Sequence, residues 1–404
     1  MKKIIALALV LVMVLGMFAG CGKKAEKMTL KVWGPNEDQA TAESFLPVAC
    51  AKFNEAHPEW DIEFVFEVCA EGDAGTMVTK DPSAAGDVYM FANDQLGTLM
   101  QANAIARLGG AALDQVKADN SETMVASVTS GDGVYGVPFT GNTWFMYYDA
   151  SVYTAEDIKS LDAMMAKKPV AFEVTNAWYL PAFYFAAGGT MFGENGTDGA
   201  AGVTFGGEVG AAATTYIANA LAAGTLIEAG GGAGMDALRN GTVGAVFSGT
   251  WDAANVKDAL GDNYAAAQLP CITIDGAEKQ LLSFSGSKAF AVNPNSQHME
   301  AAVALAAWLG SAEMQELHFD LRNGEVIPCA SALLSNEKFA ANPAAVAQND
   351  TIANTSFLQP SIPEMGAYWG PGADMGKALV NGEVTADNAA EMADAWNASL
   401  NGGL

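Results

Sequence analysis

Strand-like and helix-like segments take turns along this chain, and that alternation limits the fold more than any single motif does. The stretch DIEFVFEV (61–68) places Ile62, Phe64, Phe66 and Val68 on one face and Glu63 and Glu67 on the other, the period of a β-strand. Just before it, residues 43–55 carry Phe45, Leu46, Ala49 and Phe53 at helical spacing and stop at His57-Pro58. Strands are expected at 29–33, 86–94, 243–247 and 287–292, with helices at 211–222, 252–260 and 299–319. A chain built this way folds as α/β, with sheets covered on both faces by helices. At 404 residues it exceeds one ordinary core, so at least two domains are expected.

Composition narrows the function classes. Hydrophobic residues make up 50% of the chain and charged ones 16%, enough apolar material for large cores. The formal charge is -26, with 20 Lys and Arg scattered among 46 acids. No basic patch can form from them, so nucleic acid is not an expected partner. Three histidines (His57, His298, His318) cannot build a zinc cluster, and no cofactor motif is present. Cys50, Cys69, Cys271 and Cys329 show no C-x-x-C spacing and read as buried thiols or as exported pairs.

The N-terminus is an export signal. Lys2 and Lys3 precede an apolar run from Ile4 to Phe18, too short for a comfortable membrane span. Phe18-Ala19-Gly20-Cys21 resembles a bacterial lipobox, with Phe18 in place of the favoured Leu. That resemblance implies removal of residues 1–20, acylation of Cys21, a tether over 21–28, and a folded part on the extracellular face of the cytoplasmic membrane of a Gram-positive type of bacterium.

Between 131 and 138 the chain reads GDGVYGVP, a G-x-G-x-x-G pattern. A dinucleotide loop needs a helix to open from it. Here Pro138 and the aromatic, β-prone FTGNTWFMYYD follow instead, so the glycines mark a hairpin, with Asp132-Gly133 as the turn signal.

That hairpin and the segments around it resemble cluster-1 extracellular solute-binding proteins, the carbohydrate-capturing components of ABC importers that include the maltose/maltodextrin-binding proteins. In family order follow LKVWGPNEDQ, GDVYMFANDQLGTLMQANAIARL, WYLPAFYFAAGGTMF, LRNGTVGAVFSGTWDAANV, AVNPNSQHMEAAVALAAWLGSAEMQE and SIPEMGAYWG, spanning residues 29 to about 385. The resemblance implies a two-lobed, type II periplasmic-binding-protein-like fold whose lobes are discontinuous: 29–139 plus 287–326, and 142–284 plus 331–404. Crossovers are expected near 139–142, 283–287 and 325–331. Such a protein acts as a monomer, closes over an oligosaccharide and delivers it to membrane permease subunits.

Sugars offer apolar C–H faces and polar edges, so their binders use flat aromatic rings with carboxylates and amides at the rim. Trp251, at a strand end before a helix, and Trp369, flanked by glycines, are matched to the family's stacking plates; Tyr368, Trp178, Tyr179 and Phe91 are further aromatic candidates. The rings are expected to come from opposite halves of the trap. Asp94 follows a strand and can accept two sugar hydroxyls. Glu37, Asp38 and Gln39 lie in the first loop, where the family's Lys is missing. Asn142 and Asn176 stand where maltodextrin binders carry carboxylates, and Gln359 is a further lining candidate. These substitutions leave the sugar open: a different oligosaccharide, or a peptide, remains an alternative cargo, and a non-transport glycan adhesin or a glycosidase are more distant ones. No G-x-S-x-G, H-E-x-x-H or G-K-S/T motif argues for catalysis.

Overall fold

The computed structural model describes residues 25–402. The export signal and Cys21 lie outside the described residues. The expected tether ran to residue 28, but β1 (Glu26–Gly34) starts before that, its first residues pairing with the start of β2 (Trp60–Val68). Backbone pairing therefore claims residues whose polar composition reads as a spacer.

Two sheets organise the chain. In the first, β2, β1 and β3 (Val88–Ala92) run parallel. A parallel sheet with helices on its faces buries its central strands on both sides, and all five residues of β3 are buried. β2 is the edge strand, so its alternating face is only partly covered: Ile62 is buried, Phe64 and Phe66 are half-buried, and Val68 is exposed. The hairpin read from GDG is present as β4 (Thr129–Ser130) and β5 (Gly133–Val134), with the positive φ at Gly131 rather than Gly133.

The second sheet has the order β11 (Tyr264–Ala267), β7 (Phe145–Asp149), β10 (Ala245–Ser248), β8 (Val170–Phe172) and β9 (Leu226–Glu228). A peripheral hairpin, β12 (Cys271–Ile274) and β13 (Ala277–Gln280), packs beside it. Each sheet has its own large hydrophobic core, one centred on Leu30, Phe45, Phe91 and Phe290, the other on Trp144, Phe172, Phe183 and Phe247.

The lobes are joined by strands that pass between them. β14 (Ser283–Val292) pairs with β3 over 288–292, with β6 (Val137–Thr143) over 285–290, and with β15 (Ser356–Leu358) over 283–285. The third connecting segment lies against β6 through a Thr140–Pro328 bridge. The β6–β14 ladder skips Phe139 between the pairs of Lys288 and Ala289, a bulge that re-aims neighbouring side chains. Three hydroxyl pairs line β14: Ser283 with Thr143 (2.8 Å), Ser285 with Ser356 (2.8 Å) and Ser287 with Ser127 (2.6 Å).

The helix expected over 299–319 is two helices, Met299–Leu309 and Ala312–Leu321. Ser311 caps the second through its side chain, which accepts from Met314 N. A side chain on Gly310 would strike Val137 of β6, so the break lets the helices approach the sheet.

Candidate ligand cleft between the lobes

The cleft is built from loops that leave the strand ends, where α/β folds bind ligands, and from residues of β3, β6 and β14 themselves. It encloses about 270 Å³, near the lower end of the ~300–1,000 Å³ typical of small-molecule sites. Glu37, Glu71, Met90 and Arg322 line it from the first-sheet side, Thr250 and Trp251 from the other, and Asn142 of β6, Lys288 of β14 and Glu325 and Ile327 of the third connection from between them. Lys288 sits beside the β6–β14 bulge and pairs with Glu71 at 3.2 Å.

Trp251 follows β10 in a short 3-10 turn, Thr250–Asp252, and its side chain folds back over Gly249, where any Cβ would collide with the indole. It remains 49% exposed, the one aromatic residue among the exposed large hydrophobic side chains of the described chain. A half-bare indole at the mouth of a polar cleft is apolar surface left in contact with solvent. The Trp178 ring lies 5.9 Å from it at 37°.

A polar scaffold holds Trp178. Asn176 accepts from Trp178 N (2.9 Å) and donates to Glu173 (2.7 Å), while Glu228 accepts from Thr175 N, Thr175 Oγ1 and Gly230 N. Burial raises the Glu173 carboxyl; the Asn176 bond opposes that, and Glu228 and Asp252 push it further up. Asp252 accepts from Ser248 at 2.7 Å, fixing the turn that carries Trp251.

A family profile described as bacterial extracellular solute-binding protein matches residues 48–347. The chain belongs to the bacterial extracellular solute-binding proteins. A maltooligosaccharide ABC transporter solute-binding lipoprotein of Streptococcus pneumoniae is 26% identical over 75% of this chain and 74% of its own length. Among solved structures, one with acarbose is 45% identical, with a TM-score of 0.87 over 93% of this chain and 99% of that one. A ligand-free maltodextrin-binding protein, MalE1 of L. casei, is 27% identical with a TM-score of 0.84 over 93% and 99% of the two chains. The fold is the two-lobed type II fold of these solute-binding proteins.

Several of the residues singled out in the sequence of this solute-binding protein lie elsewhere than expected. Phe91 is fully buried in the first core, against Gly136 and Ala289, because strand alternation turns it away from the cleft. Tyr179 is buried and stacks on Trp144 at 4.7 Å. Tyr368 is buried, and its hydroxyl donates to Ala177 O at 2.8 Å. Three of the aromatic candidates are therefore core. Those that retain exposed surface, Trp178, Trp251 and Trp369, all belong to the second-sheet lobe, so the expected supply of rings from opposite halves does not occur: the first lobe brings polar groups. Trp369 is half-buried at the start of the helix Trp369–Val380, edge-on to Phe284 (6.2 Å) and Tyr368 (5.4 Å).

The first loop divides its labour. Glu37 is exposed and faces the cleft. Gln39 donates to Gly34 O (2.5 Å) and Glu67 O (3.0 Å), tying the loop to the ends of β1 and β2. Asp38 is buried, with Oδ1 2.9 Å from both His318 Nε2 and Arg322 Nη1. Asp94 is half-buried and accepts from Gln95 at 2.6 Å; burial raises its carboxyl, and that bond offsets part of the rise. Gln359 is buried and accepts from Trp178 Nε1.

Glu71, Lys288, Arg322 and Glu325 escaped the sequence reading. Lys288 had a usable signal: it is the sole charge in the strand SFSGSKAFAV. The others sit on segments without periodicity.

The placement of Tyr368 yields a test. Tyr368→Phe is expected to cost about 1 kcal/mol of stability, the worth of one buried neutral hydrogen bond, and to leave ligand affinity unchanged. Chemical denaturation beside calorimetric titration checks both halves; a large affinity loss would return Tyr368 to the ligand site.

Proposed function

We propose that this chain is the lipid-anchored receptor of an ABC importer that captures a maltooligosaccharide between its lobes and hands it to membrane permease subunits. The observation that carries the reading is the half-exposed Trp251, paired with Trp178 over a cleft rimmed by charged and amide side chains. The similarity to a protein solved with acarbose, and to solute-binding lipoproteins for maltooligosaccharides, supports the sugar class. In this reading indole faces take the apolar side of a glucosyl ring and Glu37, Asn142 and Arg322, which line the cleft, bond its hydroxyls. Closure follows because the ligand contacts both lobes only in the closed form, and that differential affinity shifts the equilibrium. The protein acts as a binder, without catalysis, and as a monomer.

Isothermal titration with maltotriose, followed by chromatography of the mixture, tests this: heat of binding with intact sugar is expected, and glucose release would make it a hydrolase. Silence toward maltotriose with binding of another glycan or a peptide would move it to a different cargo. The anchor is tested separately. Cys21→Ser is expected to shift the protein from the membrane fraction into the medium, with the wild-type N-terminal peptide carrying acyl mass in mass spectrometry.

A further inference from the structure

We propose that Gln359 is a positioning residue that locks the Trp178 ring to the hinge strand, rather than a group that touches ligand. The proposal deepens the sugar-binding reading, since it takes Trp178 as part of the cleft. Trp178 Nε1 donates to Gln359 Oε1 at 2.7 Å. Gln359 N donates to Ser285 O at 2.9 Å, and Ser285 lies on β14, the strand shared by the two lobes. One residue thus bonds the indole with its side chain and the hinge with its backbone.

The rest of the environment shows why that bond matters. The Trp178 backbone is held within its own lobe: its N–H by Asn176 and its carbonyl by Trp144 Nε1 at 3.4 Å. The ring is packed edge-on against Tyr179 (5.7 Å) and tilted against Trp251, contacts that tolerate rotation. The bond to Gln359 is its one directional restraint. Gln359 is only 5% exposed and its Oε1 accepts from the indole, so the ring holds its acceptor, and the cycle below separates that bond from any donation by its Nε2 hydrogens to a ligand. Through these two bonds the position of Ser285 on β14 sets that of Gln359, and Gln359 sets the indole plane. The hinge and the plate are then set together, and binding energy is not spent on fixing the ring.

The experiment is a double-mutant cycle in the whole protein with Q359L and W178F, read by calorimetric titration with maltotriose, alongside two-dimensional NMR of the indole N–H groups without ligand. Q359L is expected to weaken binding about five- to tenfold, the effect of one neutral hydrogen bond. In the W178F background, which has no indole donor, Q359L is expected to add nothing. The Trp178 indole resonance, assigned by its absence in W178F, is expected to move upfield and exchange faster in Q359L, and to stay downfield in Q359E, which keeps the acceptor. Additive losses in the cycle would mean that Gln359 acts on the ligand directly, and an unmoved indole resonance would mean that the bond does not hold the ring; either overturns the proposal. Failure of the wild type to bind maltotriose would sink the sugar reading instead, and the indole resonance would still decide the role of Gln359.

Discussion

Trp251→Ala is expected to weaken maltotriose binding about 30- to 150-fold while leaving the folded state nearly untouched. The two halves of that expectation come from the same fact. The indole is half in solvent, so removing it sacrifices little buried area in the free protein. In the complex the same ring would be covered by a sugar face, and losing an aromatic contact of that kind costs about 2–3 kcal/mol. One decade of affinity is about 1.4 kcal/mol, which gives the range. A buried core tryptophan behaves the opposite way, with a stability loss of about 3–5 kcal/mol on truncation. Trp144, fully buried and stacked on Tyr179, is the internal control. Calorimetric titration and thermal melts on Trp251→Ala and Trp144→Ala separate the two behaviours. A Trp251→Ala protein with full affinity and a lowered melting temperature would remove the cleft assignment.

The second large effect concerns Asp38. Its carboxylate is buried between His318, which packs against the rings of Phe45 and Phe139, and Arg322, which carries the chain into the third connection between the lobes. Burial pushes the Asp38 carboxyl up, but the charges and hydrogen bonds of His318 and Arg322 outweigh it and hold the group below its ordinary value. Asp38→Ala leaves those partners facing a hole, and breaking a buried pair in this way costs about 3–5 kcal/mol. The melting temperature of the first lobe is expected to fall by roughly 10 °C.

The pH dependence has a definite sign. Because the folded-state value is depressed, the ion pair's contribution is fully present above the ordinary carboxylate value of about 3.9 and is lost as pH falls through the folded-state value. The wild type is therefore expected to lose stability between about pH 4 and its acid transition more steeply than Asp38→Asn, which has no charge to neutralise. Parallel denaturation curves for the two proteins across that window would show that the folded state does not depress the Asp38 carboxyl.

Much of the fold could be read from the sequence because period is a local property. The alternation in 61–68 and the helical spacing from Phe45 to Phe53 report which faces are buried before any partner is known. The hairpin at Gly131 was legible for the same reason: a turn needs its own residues and few others. Boundaries set by long-range pairing were not. β1 extends back to Glu26 only because Trp60, Asp61 and Ile62 are there to pair with it. The helix of 299–319 breaks only because the sheet lies against Gly310.

The cleft divides in the same way. Composition and order of motifs pointed to tryptophans, acids and amides; Trp251, Glu37 and Asn142 line the cleft, and the Trp178 ring lies beside Trp251. Burial decided the others. Nothing local distinguishes Tyr179 from its neighbour Trp178, yet one stacks into the core and the other stays half-buried beside Trp251, because adjacent residues leave the chain in different directions. Glu37 and Asp38 are likewise adjacent; only the arrival of His318 and Arg322, some 280 residues later, makes the second an internal anchor. The sequence by itself determined the α/β class and a chain too long for one core, and it marked tryptophans, acids and amides as candidates for a site. Tertiary structure alone decided which of them meet, since a cleft between discontinuous lobes is made of contacts between residues that the chain keeps far apart.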